Sequence, residues 1–355
     1  MALPPRALVE IAAGRPATSV VDADAAIASA SAHGLTGLLW SRVRSGELEL
    51  PRDRALTLAA VDVAQREHHA ALTSALTRVT GLLDERGIRT ATFKGVCAEL
   101  RWYERVGDRP CRDIDLLLCP DDVHRLGEAV DLLDPQYRLR AGLDRRVELG
   151  VQQAATVVFE GLTIDLHVEV PKLGVPSRSR DLVWRRVTTH RFADGTEVRV
   201  LDAEGHLFAF VTHLLKDRFA RLLNHVDVFR VAGESTLDWD AVRAIARVDA
   251  LEAPLARALH IVATTLDVDL DIPMRRPLKP SLMWSILCRE DARLAGSRPR
   301  PRSLLLVPLV IPGRRREVLR SLARRARPPA AIGHDLYPDE SANPVKRWLR
   351  GRSSR

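Results

Sequence analysis

The chain has 355 residues, of which 46% are hydrophobic and 28% charged, an ordinary globular composition whose length suggests two domains or one catalytic domain with helical additions. The longest apolar run, residues 304–312, is far shorter than the ~20 residues of a membrane span and is interrupted by proline, which excludes an integral membrane protein. The formal net charge of +8 is uneven, because residues 301–355 hold 13 Lys and Arg against 4 Asp and Glu, and the remainder is close to neutral.

The cysteines and the N-terminus predict a cytoplasmic protein. The four cysteines form no C-x-x-C pair, and their uneven spacing favours free thiols in a reducing compartment over disulfides or a zinc ribbon: Cys97, Cys111, Cys119 and Cys288. The N-terminal sequence MALPPRALVEIAAG lacks a basic segment followed by an apolar core, so we expect no signal peptide.

Residues 1–87 are predicted to form a helical N-terminal region. Its main element is a long helix that begins near Pro51 and ends at Gly87. Apolar residues repeat along this helix at a spacing that predicts one buried stripe: Leu72, Leu76, Val79 and Leu83. His68 and His69 are adjacent and point in different directions, so we interpret both as surface residues.

Residues 88–200 are predicted to form a small mixed α/β core. The expected elements are a short strand at 88–93, a helix at 96–103, a buried strand at 113–118, a helix at 120–133, and strands at 156–159 and 162–170. Glu160-Gly161 between the last two strands is typical of a β-hairpin.

Residues 201–297 are predicted to form a helical C-terminal region, and residues 298–355 a basic tail rich in Pro and Arg. Asp202 can cap a helix over 203–216, and further helices are expected at 219–231 and within 236–270. The predicted fold class is therefore α+β, with a small mixed sheet between helical N- and C-terminal additions.

The segment RPCRDIDLLL at 109–118 gives the sharpest functional signal. Side chains alternate along a strand, so Asp113 and Asp115 point to the same face. Neighbouring carboxylates repel each other unless a cation lies between them, and such oxygen ligands suit Mg²⁺. A D-x-D pair alone is a weak signal, and two solvated aspartates at a strand end are the alternative.

A second predicted strand places Asp165 and His167 on one face. A third carboxylate beside the D-x-D pair would complete a site for two Mg²⁺ ions, one activating the attacking hydroxyl and one holding a triphosphate. Asp165 could also take the acceptor's proton. His167 could order the acceptor or orient Asp165, and a purely structural histidine is the alternative.

Positive charge for phosphate binding is available near these carboxylates. Lys94-Gly95 lies where a strand turns into a helix, and a helix N-terminus favours anions. Gly95 leaves room for the close approach of phosphate to the backbone. Arg109 and Arg112 precede the D-x-D pair and could neutralise phosphate charge.

Three short motifs together resemble the uncharacterised bacterial nucleotidyltransferase family of the DNA polymerase β-type nucleotidyltransferase superfamily: Lys94-Gly95, Arg109-Pro110 with the D-x-D pair, and Asp165-Leu166-His167. The resemblance covers about residues 1–235. It implies an enzyme that moves a nucleoside monophosphate from an NTP to a hydroxyl and releases pyrophosphate. It also implies that Asp113 and Asp115 bind both metal ions and that Asp165 completes one of the two sites.

The sequence departs from the superfamily before the carboxylates. The superfamily has Gly-Ser or Gly-Gly shortly before its D-x-D pair, whereas Lys94-Gly95 lies about eighteen residues upstream here. The resemblance therefore leaves open how the triphosphate is held.

Two groups of residues downstream are also candidates. The resemblance places His213 and Lys216 near the cleft as substrate-binding residues. They belong to a helix whose polar residues at i, i+7 and i+11 share one face, which could also be an ordinary polar edge: His206, His213 and Asp217. Asp227 and Arg230, three residues apart, are interpreted as a possible surface ion pair.

The acceptor hydroxyl could belong to a small molecule, a sugar, a peptide or a protein. Two other functions stay open, a non-catalytic nucleotide- or partner-binding protein on the same fold and an RNA-directed nucleotidyltransferase. The basic tail could meet an acidic partner, a membrane surface or RNA. Its densest cluster is Arg314, Arg315, Arg316, Arg320, Arg324, Arg325 and Arg327.

Overall fold

The computed structural model describes residues 6–17, 22–137, 143, 147, 153–171, 173, 175–191, 195, 197–274, 314, 316–317, 319–320 and 323. Four helices come first in the chain: α1 (Arg6–Ala12), α2 (Ala23–His33), α3 (Thr36–Arg44) and α4 (Arg52–Glu85). The side chain of Asp22 caps α2 by accepting from the amide of Ala25 at 3.0 Å.

The long helix α4 confirms the predicted stripe and corrects one interpretation. The four predicted residues of the stripe are buried. His69 is buried as well, so its interpretation as a surface residue was wrong. His69 lies three residues before Leu72 and continues the same stripe by one turn, because residues three and four apart share a helix face.

The sheet is mixed, which confirms the α+β fold class. Its six strands have the order β3-β4-β2-β1-β6-β5. β1 lies between β2, its antiparallel neighbour, and β6, its parallel neighbour. β4 is parallel to β2 and antiparallel to β3. The bounds are β1 (Thr90–Phe93), β2 (Asp113–Leu118), β3 (Ala154–Phe159), β4 (Leu162–His167), β5 (Val187–Arg191) and β6 (Glu197–Leu201).

Further helices alternate with the strands and follow them. Helix α5 (Gly95–Trp102) joins β1 to β2, and a 3₁₀ turn (Pro120–Arg125) leads into α6 (Leu126–Leu133). A short helix α7 (Arg180–Trp184) precedes β5. The C-terminal helices are α8 (Ala203–Lys216), α9 (Leu222–Ala232), α10 (Trp239–Val248) and α11 (Glu252–Leu266).

The two faces of the sheet pack against different helices. On one face, Ile114, Leu116 and Ile164 join a core with the second half of α4 and with α6. On the other face, Phe93 and Leu117 join a core shared by the N-terminal and C-terminal helices. Because side chains alternate along β2, Asp113 and Asp115 belong to the second face, together with Leu117. The division of the chain at residues 87, 200 and 297 stays a prediction.

The basic tail lies largely outside the described residues, and so does the apolar run at 304–312. Arg314 is described, and its side chain is only 4% exposed. It bonds the buried carboxylate of Asp249 at 3.1 Å and the carbonyl oxygen of Pro176 at 2.5 Å. Counting Arg314 among the arginines available to a membrane or RNA was therefore wrong, because a buried carboxylate needs the charge as its partner.

Within the part of the chain that the structure describes, the helices are all too short or too polar to cross a membrane.

Candidate active site

Strand pairing brings the predicted carboxylates together. Asp115 lies opposite Phe93 of β1 on one side and opposite Asp165 of β4 on the other. Lys94 directly follows Phe93, so it lies beside the D-x-D pair although the two motifs are far apart in sequence. The residues that separate Lys94-Gly95 from the D-x-D pair, unlike in the superfamily pattern, form α5 and the loop after it. The antiparallel pairing of β1 and β2 brings the two motifs side by side in space.

Contacts from His167 and Thr156 orient the carboxylates of Asp115 and Asp165. Nε2 of the buried His167 lies 2.6 Å from Oδ1 of Asp115 and 3.8 Å from Oδ2 of Asp165. The ring of His167 meets the ring of Phe93 edge-on at 4.8 Å. Thr156, opposite Asp165 on β3, donates its hydroxyl to Oδ1 of Asp165. Both carboxylates therefore have defined orientations.

Asp113 resists ionisation. Burial raises the pKa of Asp113, and the negative charges of Asp115 and Asp165 raise it further, against the opposing effect of Lys94 and Arg109. This crowding of like charges is what a cation would relieve.

The donor set of this cluster fits a metal ion. Single ligand atoms of Asp115, Asp165 and His167 all lie within 4.8 Å of one another. Asp113 adds a further carboxylate to the same cleft. Clustered carboxylate oxygens are the ligands that Mg²⁺ takes in proteins, whereas the imidazole of His167 is already turned to Asp115.

Lys94 and Gly95 form a tight turn against β2. Lys94 has a φ of 57°, and its Nζ lies 3.4 Å from Oδ1 of Asp115 and 4.6 Å from the centre of the Phe93 ring. Gly95 has a φ of 33°, and a Cβ there would lie 3.2 Å from the carbonyl oxygen of Asp113. Gly95 thus permits close packing of this turn on β2, and its role in phosphate binding stays a prediction.

Arg109 makes a buried ion pair that sequence reasoning missed. Its Nε and Nη2 donate to the two carboxylate oxygens of Asp227, each at 2.8 Å. Tyr103 also donates its hydroxyl to Asp227 at 2.8 Å. The interpretation of Asp227 and Arg230 as a surface pair was wrong, since Arg230 instead donates to the carbonyl of Trp102 at 2.7 Å. Two donors of Arg109 are thus occupied, which restricts its predicted contact with phosphate.

The residues around the carboxylates line a cleft of about 880 Å³. One wall comes from the N-terminal helices, with Ser31, Thr36 and Gln65, and the opposite wall from α8 and α9. The structure brings to this cleft nearly all predicted site residues: Lys94, Gly95, Arg109, Arg112, Asp113, Asp115, Asp165, His213 and Lys216. His167 does not line it and lies buried beneath Asp115. No motif in the sequence predicted the N-terminal wall, because its polar residues form no recognisable pattern along the chain.

The C-terminal wall carries His213, Lys216 and Asp217 in addition to Asp227. Nε2 of His213 lies 3.2 Å from Oδ2 of Asp217, which also accepts from Asn224 at 3.3 Å. Burial by itself raises the pKa of Asp217, but the charges of His213 and Lys216 bring it well below its usual range. Arg112 is exposed at the cleft.

His206 shares a helix with His213 but not its environment. Seven residues of helix separate the two by about 10 Å, which carries His206 beyond the cleft. Its buried ring lies edge-on to Trp102 at 4.8 Å, and burial lowers the pKa of His206 to about 3. His206 is therefore a neutral residue of the core.

The contact between Thr156 and Asp165 could have been found from the sequence. Glu160 and Gly161 both have positive φ, as a two-residue hairpin turn requires. A turn at these two residues pairs Phe159 with Leu162 and, counting back along the strands, Thr156 with Asp165.

Comparison with known proteins gives one match. No curated protein and no solved structure matches the chain. Residues 19–267 match the family model described as "Uncharacterised nucleotidyltransferase". The match spans the N-terminal helices α2 to α4, the sheet with its carboxylates and the C-terminal helices. The chain therefore belongs to this family of uncharacterised nucleotidyltransferases.

Proposed function

We propose that the protein transfers a nucleoside monophosphate from an NTP to an acceptor hydroxyl in a Mg²⁺-dependent reaction that releases pyrophosphate. The observation that carries the proposal is the placement of Asp113, Asp115 and Asp165 on adjacent parallel strands at one cleft. The acceptor is a small molecule, a sugar, a peptide or a protein.

The three carboxylates would hold the metal, with two Mg²⁺ ions as the expected occupancy. The crowding that raises the pKa of Asp113 supports this assignment. When bound, Mg²⁺ neutralises the triphosphate and lowers the pKa of a hydroxyl that it contacts.

The chain's own residues orient the reactants. Asp165 accepts the proton of the attacking hydroxyl, while the hydrogen bond from Thr156 holds its carboxylate in place. His167 and Lys94 hold Asp115 from two directions. A carboxylate whose rotamer is set in advance loses little further freedom when the substrate binds.

Arg112, His213 and Lys216 are proposed to bind the triphosphate. Each lines the cleft. Asp227 engages two donors of Arg109 and Asp115 contacts the ammonium of Lys94. His213 and Lys216 in turn interact with Asp217, so a phosphate would share each of these cations with a carboxylate. The triphosphate and the three carboxylates together carry more negative charge than two Mg²⁺ ions offset, and cationic side chains at the cleft supply the rest.

The metal assignment is tested by calorimetry with a non-hydrolysable NTP and Mg²⁺. Asp113→Asn and Asp115→Asn should abolish Mg²⁺-dependent nucleotide binding with little change in thermal stability, because each removes a ligand while relieving repulsion. Asp121→Asn is the matched control, since this exposed carboxylate follows the same strand. Unchanged affinity in both cleft variants would contradict the assignment.

The transfer reaction is tested by mass spectrometry. The protein is incubated with Mg²⁺ and each NTP, with and without a lysate as a source of acceptors. Addition of one nucleoside monophosphate to an acceptor, absent with Asp165→Asn, is the expected result. Nucleotide binding without transfer to any acceptor would contradict catalysis and leave a nucleotide-binding protein on the same fold.

A further inference from the structure

A second cluster of metal-binding residue types lies behind the cleft. It consists of His69 on α4, Glu99 on α5 and Cys111 just before β2. One ligand atom from each lies within 4.8 Å of the other two. His69 and Glu99 are buried, and Cys111 is half-buried where it lines the cleft. Three separate segments thus direct a nitrogen, an oxygen and a sulfur atom to one point.

The spacing of these atoms suits tetrahedral coordination. Sγ of Cys111 lies 3.7 Å from Oε2 of Glu99. Two ligands of one tetrahedral zinc ion, at about 2.3 Å for sulfur and 2.1 Å for oxygen, lie about 3.6 Å apart. Nδ1 of His69 contacts the same Oε2, and this pair would separate to about 3.4 Å around a zinc ion. A side-chain adjustment of His69 is therefore the movement that binding requires.

The orientation of Glu99 is already set by its other oxygen. Oε1 accepts from the backbone amides of Gly107 at 2.6 Å and Arg109 at 3.1 Å. These bonds turn Oε2 towards His69 and Cys111. Hydrogen bonds of this kind orient the ligands of metal sites in proteins.

We propose that His69, Glu99 and Cys111 bind a Zn²⁺ ion, at a site distinct from the carboxylates of the cleft. A thiolate, an imidazole and a carboxylate form a donor set that Zn²⁺ prefers, whereas Mg²⁺ takes oxygen ligands. Water from the cleft completes the tetrahedron, because Cys111 borders the cleft. Nη1 of Arg109 lies 3.5 Å from Sγ of Cys111, and the pairing of this guanidinium with Asp227 offsets the charge that it would set against the cation.

The proposed ion would tie three parts of the chain to the start of the catalytic strand. Cys111 stands two residues before Asp113, and Glu99 bonds the loop that leads to it. A zinc ion there fixes the approach of this loop to β2 and anchors it to the N-terminal helix α4. Occupancy of this site by a metal ion can be measured without any transfer reaction.

The test uses Co²⁺ in place of Zn²⁺ on the full chain. Only a cysteine ligand gives the thiolate-to-Co²⁺ charge-transfer band in the near ultraviolet, so the carboxylates of the cleft do not contribute to it. The wild type should show the band at one Co²⁺ per chain, and Zn²⁺ should remove it by competition. Asp115→Asn should retain the band, as should Cys119→Ser, which changes a buried cysteine at the far end of β2.

Variants of Cys111 decide the assignment. Cys111→Ser should lose the band, with circular dichroism as the check of folding. Cys111→Asp replaces the thiolate with a carboxylate ligand. This variant should bind Zn²⁺ without giving the Co²⁺ band. No band in the folded wild type, or a band that survives in either folded variant, would overturn the proposal.

Discussion

Neutralising Asp227 should destabilise the fold far more than neutralising an exposed aspartate. Asp227→Asn keeps the shape of the side chain and removes the charge that pairs with Arg109. The side chains of Arg109 and Asp227 are 9% and 1% exposed. The variant therefore leaves a guanidinium buried with little solvent around it and places an amide NH₂ group against one of its donors.

The expected loss follows from the contacts. Asp227 accepts three hydrogen bonds of 2.8 Å, two from Arg109 and one from Tyr103. Burial by itself lowers the pKa of Arg109, and Asp227 raises it well above its usual range. Without Asp227 the guanidinium still carries its charge at neutral pH, because arginine does not deprotonate in proteins. Breaking one side of a buried pair costs about 3–5 kcal/mol, and we expect a loss in the lower part of that range because the amide oxygen still accepts one bond.

Urea denaturation followed by tryptophan fluorescence and by circular dichroism measures this loss. Asp240→Asn is the control, because Asp240 is 90% exposed and its pair with Arg243 at 3.2 Å should contribute less than about 1 kcal/mol. The double variant Arg109→Met/Asp227→Leu should recover most of the stability, since it leaves no buried charge. Equal losses for Asp227→Asn and Asp240→Asn, or a double variant less stable than Asp227→Asn, would refute the reasoning.

Three further predictions concern the cleft, a buried histidine and a close helix contact. Asp165→Asn should keep measurable nucleotide binding by calorimetry while turnover falls by orders of magnitude, and an active variant would refute its role as base. Burial lowers the pKa of His206 from 6.5 to about 3. Its contribution to stability is therefore complete above pH 6.5. It is lost as the pH falls towards 3, because the unfolded chain then binds a proton that the folded chain does not. The free energy of unfolding should therefore fall by about 1–2 kcal/mol more in wild type than in His206→Gln between pH 6.5 and 5, and equal slopes would refute this. Gly37→Ala should strongly destabilise the protein in thermal denaturation, because its Cβ would lie 1.9 Å from the carbonyl oxygen of Gly107. Gly81→Ala has open space around its Cβ and should instead stabilise α4 by about 1 kcal/mol.

Elements whose signals are local could be predicted closely. The strand at 113–118 and the helix at 203–216 have the bounds that were expected, because a short apolar run and the cap at Asp202 act within a few residues. The hairpin at Glu160-Gly161 was likewise predictable from its turn. Placement of Asp113 and Asp115 on one face followed from the period of a strand alone.

Contacts between distant segments could not be predicted in this way. Arg109 and Asp227 are 118 positions apart, so nothing in local spacing favoured them over the neighbouring Asp227 and Arg230. Arg314 looked like one of many basic residues until its contact with Asp249, 65 positions away, showed it to be buried. Burial of a charge depends on which surfaces meet in the fold, and that is a property of packing.

The sequence by itself therefore determined the first four strands, the long helix α4, the helix α8 and which three carboxylates are candidates for the site, whereas β5 and β6 had no recognised signal. The tertiary structure decided which carboxylate engages each cation at the cleft, since Asp227 pairs with Arg109, Asp115 with Lys94 and Asp217 with His213. It also decided that His69, Glu99 and Cys111 meet. The physical reason is that periodicity and capping act over one or two turns of chain, whereas the charge and solvation of a side chain depend on neighbours supplied by remote segments.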